Sequence, residues 1–179
     1  RHRCAGRRRG PLAARRLMTS RPLPRGMSFF HPVCLISTFF GIGLLPFAPG
    51  TWASLAALPI AWYLMTHFGL YALAAMGILL FLIGIWPATI FERRTSTNDP
   101  GAIVIDEVAA QLLVLTAVPP SWTYYMAGFV LFRLADILKP WPVSWADREV
   151  KGGFGIMLDD LFAALYAGVI LYGIWLLFN

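Results

Sequence analysis

The sequence has few charged residues and very few cysteines and histidines. Only 13% of its 179 residues are Asp, Glu, Lys or Arg, whereas 58% are apolar, a composition typical of polytopic membrane proteins rather than soluble domains. Cys4 and Cys34 lie far apart without the spacing of metal ligands, which argues against a disulfide framework and against a zinc site. His2, His31 and His67 stand in unrelated contexts, so chemistry built on histidine is not expected.

Acidic residues are absent from the first part of the chain. Residues 1–26 contain nine arginines and no Asp or Glu. We interpret this segment as disordered, because it is rich in Arg, Pro and Gly and lacks hydrophobic periodicity. Our preferred explanation is an upstream extension of the reading frame, with Met27 or Met18 as the natural start; a transit peptide is the alternative. Residues 27–179 would form a single membrane-embedded domain, with six Lys/Arg and nine Asp/Glu and therefore a net charge of −3.

Long uncharged runs make up most of residues 27–179. We predict an all-α, polytopic membrane protein with about five membrane helices, preceded by a short re-entrant or interfacial segment over residues 33–45. The predicted helices cover residues 52–67, 70–91, 106–118, 123–139 and 161–178. Thr51 is a candidate N-cap of the first helix. Residues 141–158 are predicted to form a polar loop.

The charged side chains are predicted to share one side of the membrane. Because successive spans alternate in direction, the segments before residue 52, at 92–103 and at 139–158 lie on the same side. Every Lys, Arg, Asp and Glu belongs to that side or to the adjoining helix ends. Loops rich in Lys and Arg stay inside, so this side is expected to be cytoplasmic. No internal repeat is evident, which weighs against a transporter made of inverted halves.

Two pairs of adjacent acids stand beside apolar helices. Asp106 and Glu107 open the third predicted helix, and Asp159 and Asp160 follow a glycine-rich stretch into the first turn of the last one. Acids in a first turn are favourable by themselves, because the helix N-terminus carries a positive partial charge. Two such pairs meeting beside hydrocarbon would need a cation, and a hard ion such as Mg²⁺ suits oxygen ligands. We therefore predict a metal site that faces an anionic substrate at the lipid surface.

Three further charged residues recur at intervals of three near the end of the fourth predicted helix. Arg133 and Lys139 suit a helix C-terminus, whereas Asp136 opposes the helix dipole. Asp136 is therefore a candidate functional residue. Its alternative is a local ion pair with Arg133 or Lys139.

A glycine- and proline-rich stretch ends at Gly50 and Thr51. It could present backbone N–H groups and the Thr51 hydroxyl to a phosphate at a helix start. A hinge for a re-entrant loop explains the same residues equally well.

Four ordered motifs resemble those of the phosphatidylglycerophosphatase A family of bacterial inner-membrane lipid phosphatases. They lie at residues 40–51, 103–107, 132–142 and 152–160, and the resemblance covers residues 33–179. It implies Mg²⁺-dependent removal of the terminal phosphate from phosphatidylglycerophosphate, in phospholipid biosynthesis. The substrate would be a phospholipid of the inner leaflet, and the active site would face the cytoplasm. Ala53, Ala110 and Ala164 depart from the pattern, since we expect glycine there more often in the family.

The resemblance also implies roles for single residues. Metal ligands would be Asp106, Glu107, Asp136, Asp159 and Asp160. Arg133 and Lys139 would contact the phosphate. Beyond the resemblance, our own candidates are Glu107 and Asp160 for catalytic proton transfer, and Gly50 and Thr51 for substrate binding. The alternative function is a cation- or proton-coupled transporter that uses the same acids, although transport sites usually lie near the midplane. A non-catalytic lipid-binding subunit is a third option; no nucleic-acid partner is expected, and the sequence does not indicate an oligomeric state.

Overall fold

The computed structural model describes residues 23–24, 26–95 and 101–178. The predicted extension at residues 1–26 therefore lies almost entirely outside the described residues. The described part of the chain is helical and has no β-strand, which confirms the all-α class. Its α-helices are α1 (Pro32–Ser37), α2 (Pro49–Thr95), α3 (Ile105–Val114), α4 (Trp122–Leu138), α5 (Val143–Glu149) and α6 (Gly152–Phe178), with short 3₁₀ turns at Ile42–Leu44 and Leu115–Ala117.

Helix α2 consists of two arms that fold back on each other. Gly69 interrupts it with a non-helical backbone (φ 79°, ψ −178°), a positive φ that glycine adopts at little cost. Gly50, near the start of α2, and Glu92, near its end, line the same cavity. In a straight helix these residues would be roughly 63 Å apart at about 1.5 Å per residue. The chain therefore reverses at Gly69, between the predicted helices 52–67 and 70–91.

Among the residues that the structure describes, two helices are long and apolar enough to cross a membrane, namely α2 and α6. The predicted count of about five spans is not confirmed. Helix α3 has only 10 residues and α4 has 17, whereas a span needs about 20. Large apolar side chains on the long helices are exposed, such as Leu82 (58%) and Val169 (65%), which is compatible with contact with lipid.

The start of the last helix was predicted wrongly. Helix α6 begins at Gly152, so Asp159 and Asp160 lie beyond its first turn, which contains no acid. The glycines are not a loop: a Cβ at Gly153 would lie 2.2 Å from the Ile85 carbonyl oxygen. They let α6 pack against the second arm of α2, where the Gly153 N–H donates to Thr89 Oγ1.

Two other boundaries also differ from the prediction. The segment predicted as a polar loop contains the short helix α5. Helix α2 begins at Pro49, so Thr51 belongs to its first turn and is not its N-cap. Proline suits the first position of a helix because its missing N–H would have no partner there.

The segment predicted as re-entrant packs against the chain that leads into α3. Cys34 and Ser37 of α1 are fully buried, and the Val104 N–H donates to the Ser37 carbonyl oxygen at 2.8 Å. A Cβ at Gly43 would lie 2.0 Å from the Ala102 carbonyl oxygen, so the two segments are in close contact. This packing fixes the position at which α3, and with it the first acid pair, begins.

Candidate active site

One cavity of about 480 Å³ lies where both arms of α2 and helices α3, α4, α5 and α6 meet. The structure brings all nine predicted site residues to its wall: Gly50, Thr51, Asp106, Glu107, Arg133, Asp136, Lys139, Asp159 and Asp160. Their individual roles stay predictions. A metal site made of acids that are distant in sequence requires that these acids lie close together in the fold, and their common location is consistent with this.

Three carboxylates form the centre of the cavity. One oxygen from each of Asp106, Glu107 and Asp160 lies within 4.8 Å of the others. Asp106 and Asp160 are only 8% and 3% exposed. Within the described part of the chain, Glu107 Oε2 and Asp160 Oδ2 are buried without a hydrogen-bond partner. Buried charges of one sign without hydrogen bonds are costly, and an oxygen-only donor set of this kind fits a hard divalent cation. We call these three residues the acid triad.

Asp136 lies beside the acid triad and pairs with Arg133. Arg133 Nη1 is 2.9 Å from Asp136 Oδ2 and 3.6 Å from Glu107 Oε1. The local ion pair that the sequence left as an alternative for Asp136 is therefore present. The guanidinium links Asp136 to Glu107, so it lies at the edge of the acid triad.

Lys139 makes the corresponding connection for Asp159. Its Nζ is 2.5 Å from Asp159 Oδ2 and 2.8 Å from Asp147 Oδ1. Burial by itself would lower the pKa of Lys139, but the hydrogen bonds to Asp147 and Asp159 outweigh burial and raise the pKa above its ordinary value. Lys139 is therefore protonated and forms an ion pair with Asp159. Helix α4 ends just before Lys139, whose backbone is left-handed (φ 44°, ψ 59°).

Gly50 allows the first arm of α2 to approach the acid triad. A Cβ at this position would lie 1.8 Å from Glu107 Oε1 and 3.2 Å from Arg133 Nη1, so no larger residue fits without moving Glu107. Gly50 and Thr51 stand in the first turn of α2. Backbone N–H groups there have no carbonyl partner within the helix and can bind an anion.

The structure adds three charged residues that the site prediction did not include. Asp147 lines the cavity together with Glu92 and Lys151. Position was the only sequence signal for Lys151, which directly precedes the glycine-rich motif at residue 152. For Glu92 the sequence indicated only the side of the membrane, and the reversal at Gly69 brings this residue to the cavity.

Comparisons with known proteins identify relatives of the chain. The sequence model of the family described as "Phosphatidylglycerophosphatase A" matches residues 35–175. A protein of that name from Escherichia coli (strain K12) is 44% identical over 145 residues, which cover 79% of this chain and 83% of the relative. Another of that name, from Haemophilus influenzae, is 37% identical over 163 residues, which cover 89% and 100% of the two chains.

A third relative carries a different name. It comes from Bacteroides thetaiotaomicron, is titled "Putative phosphatidylinositol-3-phosphatase", and is 40% identical over 149 residues, or 79% of this chain and 92% of the relative. No solved structure matches the chain.

Proposed function

The chain belongs to the phosphatidylglycerophosphatase A family, and from this premise we propose that it removes the terminal phosphate of phosphatidylglycerophosphate in a Mg²⁺-dependent reaction. The products would be phosphatidylglycerol and inorganic phosphate. The observation that carries the proposal is the acid triad, since buried carboxylates from two helices converge in one cavity beside two basic side chains. We infer the substrate from the names of the relatives and the type of reaction from the side chains of the site.

The acid triad would hold the cation. Its oxygens lie close together, and two of them have no hydrogen-bond partner among the described residues. When bound, Mg²⁺ would neutralise charge on the phosphate oxygens and lower the pKa of a water. Asp136 and Asp159 have cationic partners, so we place them next to this centre, where they would orient Arg133 and Lys139. The proposal also includes both acids as further ligands of the cation.

The basic residues and the start of α2 would bind the phosphomonoester. Arg133 can offer a planar pair of N–H donors to phosphate, and Lys139 can offer a point charge. The first-turn N–H groups of Gly50 and Thr51 add uncharged donors. Together they would orient phosphorus for attack by water opposite the glycerol oxygen that leaves.

Glu107 and Asp160 are the proposed acceptors of the water proton. Both carry a buried carboxylate oxygen without a hydrogen-bond partner among the described residues. In the reaction the water oxygen forms a bond to phosphorus and the bond from phosphorus to the glycerol oxygen breaks. The proton released by the water moves to one of these carboxylates, and the glycerol oxygen that leaves takes up a proton to become a hydroxyl group of phosphatidylglycerol.

The same arrangement supports a proposal for the location of the enzyme. We propose that residues 27–179 form one domain embedded in the bacterial inner membrane, with several membrane-crossing helices and the cavity at the cytoplasmic side. The apolar helices α2 and α6 and the accumulation of charge at one end of them support this placement. The substrate would then enter from the inner leaflet. The three relatives are all named as phosphatases, which favours phosphate release over the transport alternative.

Phosphate release by the purified full chain tests the proposal. Phosphatidylglycerophosphate in neutral detergent micelles should be hydrolysed, EDTA should stop the reaction, and added Mg²⁺ should restore it. Phosphatidylinositol 3-phosphate serves as the comparison substrate, because one relative is named for it. Preference for that lipid would overturn the proposed substrate, but the assignment of the protein as a lipid phosphatase would stand.

A matched pair of variants tests the site. Glu107→Gln should abolish phosphate release and weaken the increase of the melting temperature that Mg²⁺ causes. Glu149→Gln makes the same chemical change on the exposed surface of α5, away from the cavity lining, and should change neither. Full activity of Glu107→Gln would contradict the assignment.

A further inference from the structure

Lys151 differs from the two other basic residues that line the cavity. Arg133 lies within 4.0 Å of Glu107 and Asp136, and Lys139 has two carboxylate partners of its own. Among the described residues, Lys151 has no carboxylate within that distance. Its Nζ donates to the carbonyl oxygen of Arg148 at 2.5 Å. An ammonium has three N–H donors, so two remain for a ligand.

The position of Lys151 separates it from the acid triad. It lies between α5 and α6, is exposed, and lines the cavity, whereas Asp106 and Asp160 of the triad are buried. Gly152 follows with a positive φ of 80°, which turns the chain into α6. The cavity therefore has basic groups at two levels, one beside the triad and one at its mouth.

The proposed substrate carries phosphate at two positions as well. Its phosphomonoester is the group that is hydrolysed, while the phosphodiester joins the two glycerol units and stays in the product. We propose that Lys151 binds the phosphodiester and thereby selects lipids that have one. This inference rests on the proposed function. The monoester has to reach the buried triad, so the diester, one glycerol unit nearer to the acyl chains, lies towards the mouth.

Kinetics in neutral detergent micelles test the inference. Lys151→Gln should raise KM for phosphatidylglycerophosphate about fivefold, the effect of losing one partly exposed ion pair, and should leave kcat within about twofold. Lys151→Arg should keep the wild-type KM. Arg148→Gln is the matched control, because Arg148 is an exposed neighbour that does not line the cavity, and its KM should be unchanged.

Two soluble inhibitors identify which phosphate Lys151 recognises. The deacylated headgroup of the substrate contains both the diester and the monoester, whereas glycerol 3-phosphate contains the monoester alone. Lys151→Gln should weaken inhibition by the headgroup and leave inhibition by glycerol 3-phosphate unchanged.

Three results would overturn the inference. An unchanged KM for Lys151→Gln would show that the side chain does not contact the lipid. An equal rise of KM for Arg148→Gln would assign the effect to the general charge of the surface, and equal weakening of both inhibitors would assign it to the monoester. Failure of the proposed function looks different, since the wild-type protein would then release no phosphate, and the inference would fall with it.

Discussion

Gly50→Ala gives the sharpest test of how the first arm of α2 positions Glu107. The added Cβ would lie 1.8 Å from Glu107 Oε1, and ordinary contact begins near 3.4 Å. The carboxylate would therefore have to move by more than 1 Å. Misplacement of a reacting group by about 1 Å can cost about 10²-fold in rate. We expect kcat for phosphate release to fall about hundredfold.

The stability of Gly50→Ala should change much less than its activity. Alanine in place of glycine favours a helix by up to about 1 kcal/mol, and overpacking costs about 1–3 kcal/mol. The atom met by the new Cβ ends a side chain that can rotate away, so the net loss of stability should stay below about 2 kcal/mol. The fold should survive while Glu107 leaves the triad.

Gly168→Ala is the matched control for this experiment. Gly168 is also a helical glycine, but a Cβ there meets nothing within 4 Å, so its kcat should equal that of the wild type. Phosphate release at saturating lipid and thermal unfolding in the same detergent measure both effects. Two results would show that Gly50 does not position Glu107. Gly50→Ala could keep more than a tenth of the wild-type activity, or its activity could fall only in proportion to the folded fraction.

Three further predictions concern other contacts. Gly153→Ala should destabilise the protein by about 1–3 kcal/mol, because the new Cβ would lie 2.2 Å from the Ile85 carbonyl oxygen; an unchanged melting temperature would contradict the packing of α6. Asp159→Asn should lower phosphate release at least tenfold with little change in melting temperature, because the lysine that contacts it loses one of its two carboxylate partners; full activity would remove the assignment. In a Cys4→Ser background, Cys34, which is fully buried, should react with maleimide only after denaturation, and rapid labelling of the native protein would contradict the burial of α1.

Local sequence patterns predicted the acids of the site but not the start of α6. A run of glycines normally weakens a helix, so residues 152–158 were predicted as a loop. Helix packing overrides that preference here, because a Cβ at Gly153 would lie 2.2 Å from the Ile85 carbonyl oxygen of α2. The α2 surface that requires Gly153 is remote in sequence, so no local pattern could indicate it.

The partners of the charged residues depended on tertiary structure in the same way. The pair between Arg133 and Asp136 spans three positions on one helix, and the sequence offered it as an alternative. The pairs of Lys139 depend on the left-handed backbone at the end of α4 and on the location of α6. Spacing could place Lys139 at a helix end, but only the fold brings it to Asp159.

The charge balance of the whole cavity wall, which includes the triad, also supports a bound cation. Seven acids line the wall, from Glu92 to Asp160, against the three basic residues Arg133, Lys139 and Lys151. Two of these basic residues already have carboxylate partners. A phosphomonoester brings a further charge of about −1.5 to −2 near neutral pH. Repulsion between like charges would therefore oppose binding as well as the reaction, and removal of the metal should weaken the binding of a non-hydrolysable substrate analogue. If the analogue binds equally well in EDTA, the basic residues alone balance its charge and substrate binding does not require a cation.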